Sequence, residues 1–324
     1  MTTPDTPSGI EFTSELRDQR VLVTGGAGFV GRSVVAAFRA HGVPVTVADL
    51  KPFETDDPGI KTVLGDLRDP EVREAAFTDD TAGVVHLAAI TSVLKSAEQP
   101  NETFSNNVRL THELLELARI RGVGRFVLAS TNAVVGDVGG SKITTRNPLN
   151  PLTPYGATKA ACEMLLSGYA GAYGMANCAL RFTNIYGPGM GHKDSFVPRM
   201  MRAALSGETV QVYGDGEQRR DLVHIDDVVQ GILRAWTQAF TGPAIIGAGY
   251  SISVLEMIDA VREVTGAELP TEHVPAKTGE MPAVIVDITR SEEDLGYKPE
   301  VTLVDGLQTV WRDFLAAERE RVAG

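Results

Sequence analysis

The chain has 324 residues, and its 42 acidic side chains outnumber its 30 lysines and arginines, which gives a formal net charge of −12. This charge argues against a surface that binds a polyanion, so we expect neither nucleic acid nor an anionic membrane as a partner. With 43% hydrophobic and 22% charged residues, the composition is that of a globular protein with a full core, and it excludes a disordered or fibrous chain.

The beginning of the chain shows no pattern of a targeting segment. No apolar run reaches the ~18 residues that a membrane span requires, and the first residues lack the basic and apolar regions of a signal peptide. We therefore expect a cytoplasmic protein. Residues 1–18, rich in Thr, Pro and Asp, predict a disordered lead-in.

From residue 20 onward, short β-branched runs alternate with helical stretches. Strands are predicted at residues 21–24, 45–49, 62–64, 84–87, 126–130 and 178–182, and helices at residues 30–38, 108–118 and 196–205. The strands have few polar interruptions, which is typical of strands covered on both faces. The alternation predicts an α/β fold with a doubly wound parallel sheet. After residue 182 the pattern loosens into Gly- and Pro-rich loops, which predicts a smaller second lobe.

The segment VLVTGGAGFVG places Gly25, Gly28 and Gly31 between the first predicted strand and a helix. Glycines in this context allow a sharp turn, a close approach to a pyrophosphate and tight packing of helix on sheet. Asp49 ends the second predicted strand, where a carboxylate can accept hydrogen bonds from ribose hydroxyls and repel a 2′-phosphate. The pattern favours NAD over NADP. Asp66, after the third strand, is expected near the adenine by the same topology.

Tyr155 and Lys159 are four residues apart in a predicted helix, so both side chains lie on one face. A free phenol titrates near ~10, and a neighbouring ammonium should lower the pKa of Tyr155 toward neutrality and make it a general acid/base. Thr131 follows the fifth predicted strand, where its hydroxyl could hold a substrate oxygen or merely cap the loop.

These residues belong to a set of motifs with a recognisable order and spacing. The motifs are TGGAGFVG, HLAA, NV, ST, YGATK, RFTNIYGPG and GDGEQRRDLVHIDD. Between residues 20 and 315 the chain resembles the extended short-chain dehydrogenase/reductase family, and within it the NAD-dependent nucleotide-sugar epimerases and dehydratases, especially the UDP-galactose/UDP-glucose 4-epimerases. The resemblance implies a Rossmann-like fold with a smaller C-terminal substrate-binding lobe.

The resemblance also implies roles for individual residues. It makes Thr131, Tyr155 and Lys159 the catalytic triad. The NAD-binding residues that it implies are Gly25, Gly28, Phe29, Val30, Asp49, Asp66, Leu67, Leu87, Ala88, Ala89, Asn107, Tyr155 and Lys159. The substrate-binding residues that it implies are Thr131, Asn184, Val197, Tyr213, Arg220 and Lys277. Among these, Asn184 and Arg220 would hold the pyrophosphate, and Lys277 stands where the related epimerases have an arginine.

Departures from the family pattern bear on the reaction. Dehydratases of the family carry Asp-Glu directly after the catalytic threonine, whereas this chain has Asn132 and Ala133, which cannot transfer protons at neutral pH. This favours epimerisation at C4 through a 4-keto intermediate. The alternatives are epimerisation of a UDP-uronate or UDP-N-acetylhexosamine, 4-ketoreduction, dehydration, or a noncatalytic NAD(H) sensor. A uronate would need a cation such as Lys193 near C6, and Val284 stands where room at C2 is set.

The resemblance further implies the organisation of the chain. We expect an NAD-binding domain of residues 19–182 with 222–247, and a nucleotide-sugar-binding lobe of residues 183–221 with 248–324. A homodimer is expected through the segment near residues 102–118 and the helix from Tyr155 to Tyr173. The six histidines lack metal-ligand spacing, so no metal site is expected, and His86 is interpreted as a packing or hydrogen-bonding residue.

Overall fold

The computed structural model describes residues 9–276 and 283–323. The strands in these ranges are β1 Arg20–Thr24, β2 Val45–Asp49, β3 Ile60–Leu64, β4 Thr81–His86, β5 Arg125–Thr131, β6 Ala176–Phe182, β7 Asn184–Tyr186, β8 Val210–Tyr213, β9 Arg219–Arg220, β10 Leu222–His224, β11 Gly242–Ile246, β12 Ile252–Ser253 and β13 Thr271–Val274. The α-helices are α1 Ser14–Asp18, α2 Phe29–Ala40, α3 Pro70–Ala76, α4 Val93–Glu98, α5 Pro100–Phe104, α6 Leu110–Ile120, α7 Pro154–Tyr173, α8 Phe196–Ser206, α9 Ile225–Thr237, α10 Val254–Thr265, α11 Thr289–Leu295 and α12 Leu303–Ala323. A π-helical turn, Ser105–Arg109, leads into α6, and a 3₁₀ turn, Asn132–Val134, follows β5.

Seven strands form one parallel sheet in the order β11-β6-β5-β4-β1-β2-β3. The strand order reverses between β1 and β4, and the carboxyl ends of strands that diverge at such a point form a crevice in which ligands bind. The predicted Rossmann-like, doubly wound α/β fold is confirmed. Strand β11 was not among the strands predicted from the sequence.

Successive residues of β1 show why its sequence is apolar throughout. Val21 and Val23 belong to a core that includes Trp236 of α9, whereas Leu22, between them, belongs to a second core with Leu114 of α6. Because side chains alternate between the two faces of a strand, a sheet covered on both faces requires apolar residues at every position.

A third core lies within the residues expected to form the second lobe. Met201 of α8, Val212 of β8, Met257 of α10 and Leu307 of α12 are buried together there. The boundaries between the two lobes stay a prediction. Within the described ranges, no helix is both long and apolar enough to cross a membrane.

The prediction of a disordered lead-in is wrong for residues 10–18. Helix α1 begins after Thr13, whose side chain accepts a hydrogen bond from the Leu16 amide at 3.3 Å. Phe12 is buried, packs edge-on against Phe38 of α2 at 6.1 Å and stacks on His41 at 4.3 Å. The buried side chain of Phe12 thus packs this segment against the outer side of α2. Residues 1–8 lie outside the described residues.

Candidate active site

The glycines of the β1–α2 turn stand where no side chain fits. Gly25 has φ +70°, and a Cβ atom there would lie 2.8 Å from the amide nitrogen of Ala88 at the end of β4. A Cβ atom on Gly31 would collide with the carbonyl oxygen of Gly25. The turn is therefore closed tightly against the neighbouring strand and against its own helix, as the motif predicts.

The first turn of α2 offers main-chain donors to an anionic group. The helix begins at Phe29 and Val30 after Gly28, and no side chain among the described residues caps it. The first N–H groups of a helix have no partner within the helix, and the helix dipole favours a negative charge beside them. This turn therefore fits the pyrophosphate of a dinucleotide.

A cavity of about 280 Å³ lies at the carboxyl ends of β1 to β4. The predicted NAD-binding residues in its wall are Gly25, Gly28, Asp49, Asp66, Leu67, Leu87, Ala88 and Ala89. The wall also contains residues that were not predicted, namely Leu50, Gly65, Ile90, Asn106 and Leu110. The first four of these directly adjoin predicted residues in the sequence, and that adjacency is the signal that could have found them.

The carboxylate of Asp49 is fixed at the end of β2 by main-chain donors. Its two oxygens accept hydrogen bonds from the amides of Ala27 and Lys51, each at 2.9 Å. A carboxylate oxygen can accept more than one hydrogen bond, so Asp49 can still bind ribose hydroxyls, and its charge opposes a 2′-phosphate. The cradle of the turn and this carboxylate fit NAD.

Asp66 lies in the same cavity wall but is engaged with a cation. The guanidinium of Arg68 lies 2.6 Å from an oxygen of Asp66 and 2.9 Å from one of Glu102. The hydrogen bond from Arg68 lowers the pKa of Asp66. If Asp66 lies beside the adenine, as predicted, the group at that edge of the cavity is an ion pair and not a lone carboxylate.

The catalytic candidates meet where helix α7 crosses the end of β5. The Lys159 ammonium donates a hydrogen bond to the Ala129 carbonyl at 2.8 Å, and the Tyr155 hydroxyl is hydrogen-bonded to the Thr131 side chain. The Thr131 hydroxyl also accepts a hydrogen bond from the Ala133 amide at 3.2 Å, so it caps the following turn as well. The structure brings all three triad candidates together.

The predicted lowering of the Tyr155 pKa is wrong for this structure. Burial raises the pKa of Tyr155 to about 12, and the hydrogen bond with Thr131 opposes this only in part. Burial also lowers the pKa of Lys159, whose ammonium is directed to the Ala129 carbonyl. The reason is that the low-dielectric interior disfavours both charged forms, an effect that the spacing of residues in a sequence does not reveal.

A second and larger cavity, of about 680 Å³, lies between β7, α8 and β8. Three predicted substrate-binding residues stand in its wall, Asn184, Tyr213 and Arg220. Asn184 is held there by a hydrogen bond from its side-chain amide to the Asp221 carbonyl at 3.0 Å. Asp221 is itself fully buried and accepts hydrogen bonds from the amides of Ala248 and Gly249, each at 2.9 Å.

The adjacent arginines of β9 point in different directions. Arg220 lines the large cavity, whereas Arg219 donates to the Ser251 carbonyl at 2.8 Å and pairs with Glu256 at 2.9 Å. This is the geometry in which Arg220, and not Arg219, can contact a ligand in the cavity.

Other predicted substrate residues are not placed at this cavity. Val197 packs in the third core, so its side chain does not reach the cavity. Lys277 lies outside the described residues. The Lys193 ammonium lies 4.2 Å from the centre of the Phe29 ring. Val284 is tied to β9 by a hydrogen bond from its amide to the Arg219 carbonyl at 3.0 Å.

Sequence reasoning missed four charged residues of the large cavity, Asp194, Arg199, Arg202 and Glu208. Arg199 of α8 and Asp194 stand in its wall and pair with each other at 2.5 Å. Arg199 lies in the helix predicted at residues 196–205, and Asp194 lies just before it. Their charge could have marked them as candidate ligand-binding residues. Which face of the helix lines the cavity is set by tertiary packing, which the sequence does not show.

A buried polar network connects the NAD cavity to the catalytic helix. The Ala88 amide donates to the Thr24 hydroxyl at 3.3 Å, which bonds His86 Nδ1 at 2.7 Å, and His86 Nε2 bonds Thr111 at 3.0 Å. Thr111 donates its own proton to the Asn107 carbonyl at 2.6 Å. It must therefore accept from His86, which fixes the neutral Nε2–H form of this histidine.

Asn107 continues this network although it does not line the NAD cavity. Its side chain bonds both main-chain groups of Ile90 at 2.9 and 3.0 Å, and donates to Thr158 at 3.0 Å. Thr158 in turn donates to the Tyr155 carbonyl at 2.7 Å. Asn107 is thus placed to orient the cavity wall and the first turn of α7.

Comparison with known proteins agrees with this geometry. Residues 21–249 match the NAD dependent epimerase/dehydratase family. A UDP-glucose 4-epimerase from Corynebacterium glutamicum is 32% identical over 315 residues, which cover 91% of this chain and 94% of that protein. A dTDP-glucose 4,6-dehydratase from Streptomyces griseus is 32% identical over 302 residues, which cover 89% and 91% of the two chains.

Solved structures give the same result. The UDP-glucose 4-epimerase of Thermus thermophilus, in complex with NAD, superposes with a TM-score of 0.83 at 32% identity and covers 92% of this chain and all of its own. The fold and the site thus define an NAD-dependent enzyme that acts on nucleotide sugars. The chain belongs to the NAD dependent epimerase/dehydratase family. In the part of the chain that the structure describes, no cluster of side chains could hold a metal ion.

The network around His86 predicts a pH dependence of stability. Burial, and secondarily the charge of Lys159, lowers the pKa of His86 to about 3. Between that value and the ordinary ~6.5 of an unfolded chain, only the unfolded state binds the proton, so the stabilisation that is present above pH ~6.5 is lost as the pH falls. Relative to His86→Gln, the wild type should lose about 1.4 kcal/mol more free energy of unfolding from pH 7.5 to 5.5. Urea denaturation at the two pH values measures this, and equal losses would contradict it.

Proposed function

We propose that this protein is an NAD-dependent nucleotide-sugar 4-epimerase, with UDP-glucose and UDP-galactose as the default pair. The observation that carries the proposal is the absence of an acid/base pair after Thr131. Asn132 and Ala133 occupy these positions, and the Asn132 side chain is buried with neither amide atom hydrogen-bonded among the described residues. Dehydration requires proton transfer at two further carbons, and an amide and a methyl group cannot supply it.

The triad supports oxidation at C4. Tyr155 removes the proton of the sugar 4-hydroxyl, and the Thr131 hydroxyl orients that oxygen. Bound NAD supplies the acceptor for the C4 hydride and, once reduced, its donor. The role proposed for Lys159 is to stabilise the phenolate of Tyr155, which burial disfavours. When hydride returns to the opposite face of the sugar, Tyr155 gives the proton back and C4 is inverted.

The large cavity supports the inversion step. Arg220 and Asn184 stand in its wall, and a guanidinium can bind phosphate oxygens with two parallel hydrogen bonds. If these residues hold the pyrophosphate, the 4-keto sugar can turn about that link without leaving the enzyme. Hydride can return to either face of C4 only if the enzyme holds the substrate at a group other than the sugar ring, and the pyrophosphate is such a group.

The alternatives have less support. Lys193, the candidate partner for a uronate carboxylate, lies against the Phe29 ring. A noncatalytic sensor would have no need of an assembled triad, and Thr131, Tyr155 and Lys159 are all in contact with each other or with β5. Because one of the relatives is a dehydratase, the experiment must distinguish epimerisation from dehydration.

The decisive experiment follows the products by NMR. We expect the purified protein to carry NAD(H) and to interconvert the C4 epimers of a UDP-hexose with no added reductant, because the hydride is borrowed and returned within one turnover. A 4-keto-6-deoxy product would show dehydration instead, and a strict need for a stoichiometric reductant would show ketoreduction.

Two matched phenol variants test the chemistry of that reaction. Tyr155→Phe removes only the hydroxyl, so turnover should fall by ~10²–10⁴-fold while nucleotide-sugar affinity is retained. Tyr173→Phe removes an exposed phenol from the same helix and should leave turnover unchanged. Near-normal activity of Tyr155→Phe would contradict its role.

The arginine pair of β9 tests the second cavity. Arg220→Ala should weaken binding of the nucleotide sugar by roughly 1.5–3 kcal/mol, the range for hydrogen bonds to charged groups. This corresponds to about 10- to 150-fold in KM. Arg219→Ala, which loses a partly exposed pair with Glu256, should change KM far less. The opposite order would move the pyrophosphate contact one residue along the strand.

We also propose that two copies of the chain associate through α5 to α7. Phe104 of α5 and Met164 of α7 are 56% and 57% exposed, and these two helices pack against each other. Exposed apolar side chains that lie close together mark a contact surface. Covering them with the same face of a second copy gives a two-fold symmetric contact. Light scattering at micromolar concentration should report a dimer, and a monomer would rule the contact out.

A further inference from the structure

A buried ion pair lies beneath the catalytic triad and takes no part in the chemistry described above. The guanidinium of Arg181 donates to the Glu163 carboxylate, with 2.7 Å between Nη2 and Oε2, and the two side chains are only 3% and 4% exposed. The Ser130 hydroxyl donates to Oε1 of the same carboxylate at 2.5 Å. Ser130 immediately precedes Thr131 in β5.

Glu163 continues the catalytic face of α7. Tyr155, Lys159 and Glu163 follow each other at intervals of four residues, so their side chains form one stripe along the helix. Each member of the stripe meets β5, at Thr131, the Ala129 carbonyl and Ser130 respectively. Glu163 also reaches β6, because Arg181 is the register partner of Ser130 in the sheet.

Stability alone gives a poor reason for these charges. Burying an ion pair costs desolvation that its attraction often fails to recover, and apolar residues of similar size frequently serve as well or better. Here the cost is increased because Nη1 of Arg181 has no hydrogen-bond partner among the described residues. A function for the Glu163 charge should therefore be sought in what lies beside it.

Lys159 lies one helical turn before Glu163, and its buried ammonium is stabilised by a nearby negative charge. Burial lowers the pKa of Lys159, and the interactions with Cys162 and Glu163 in their ionised forms raise it. The titratable groups that interact with Lys159 are Cys162 and Glu163 on α7 and His86 on β4, with Arg181 on β6 behind Glu163, and Tyr155 lies one turn before Lys159 on α7. Burial raises the pKa of Cys162 and lowers that of His86, so both are neutral at neutral pH. Glu163 is the carboxylate of this group, and its oxygens accept hydrogen bonds from Arg181 and Ser130.

We propose that Glu163 is a positioning residue for the reaction: held by Arg181 and Ser130, it supplies the counter-charge that keeps the Lys159 ammonium charged and in place beneath Tyr155 and Thr131. The proposal rests on the proposed role of the triad. It does not depend on the product, because oxidation at C4 precedes the branch between epimerisation and dehydration.

The test compares the wild type with Glu163→Gln and with the charge-free double variant Glu163→Leu/Arg181→Met. The readouts are the thermal unfolding midpoint and the rate at which a bound UDP-hexose reduces the enzyme's NAD in a single turnover, measured as a function of pH. The matched control is Glu318→Gln, which breaks a surface pair with Arg321 on α12 and should change neither the rate nor its pH profile.

We expect the double variant to unfold at about the wild-type temperature or above it, and yet to reduce NAD about tenfold or more slowly at neutral pH. The alkaline limb of its pH profile should move to lower pH, but by less than one unit, because the variant removes the Arg181 cation together with the nearer Glu163 anion. Glu163→Gln leaves the Arg181 cation uncompensated near Lys159, so its alkaline limb should move at least as far. Glu163→Asp keeps the charge and should restore the position of that limb.

A stable double variant with the wild-type rate and pH profile would show that the pair is only structural and would overturn the proposal. If the double variant does not fold, Glu163→Gln carries the test, and an unshifted alkaline limb overturns the proposal equally. A wild-type enzyme that reduces its NAD but releases a dehydrated product would refute the proposed 4-epimerisation and leave this test intact.

Discussion

The contact of helix α7 with the carboxyl end of β5 is the constraint on which the site depends. A single face of the helix carries Tyr155 and Lys159, and only a fixed register against β5 puts them beside Thr131 and the Ala129 carbonyl. The parallel sheet then fixes the rest, because β4 alone separates β5 from β1 and its glycine turn. The cofactor cradle and the acid/base group thus meet through strand order rather than through nearness in sequence.

This arrangement places ionisable groups where water cannot solvate them. Burial acts against the phenolate of Tyr155 and against the ammonium of Lys159, so neither functional charge is favoured by the protein interior itself. The Ala129 carbonyl accepts a hydrogen bond from the Lys159 ammonium, and the buried Glu163 carboxylate is the counter-charge that we propose for it. Electrostatic interactions inside such a site are stronger than in water, which is the condition for tuning an acid/base group by its neighbours.

Local spacing made much of the site predictable from the sequence. The glycines at 25, 28 and 31, the strand-end Asp49 and the Tyr155 and Lys159 pair are each recognised within one turn or one helix. The structure places Gly25, Gly28 and Asp49 at one cavity and Lys159 at the end of β5. The two predictions that were wrong depended on burial in the tertiary structure. Three apolar residues among polar ones, at 10, 12 and 16, were enough to fasten the N-terminal segment to α2, and the direction of the Tyr155 pKa shift is set by desolvation.

The same distinction bears on the choice between epimerase and dehydratase. Overall sequence identity does not distinguish the two reactions, since an epimerase and a dehydratase are both 32% identical to this chain. The two reactions share the oxidation at C4 and differ in whether further protons are moved, so the discriminating residues are those beside Thr131. At that place the chain has a buried amide, Asn132, and a methyl group. The lack of an acid or base at these two positions is the reason why we propose that the hydride returns to C4 and that no hydroxyl group is expelled.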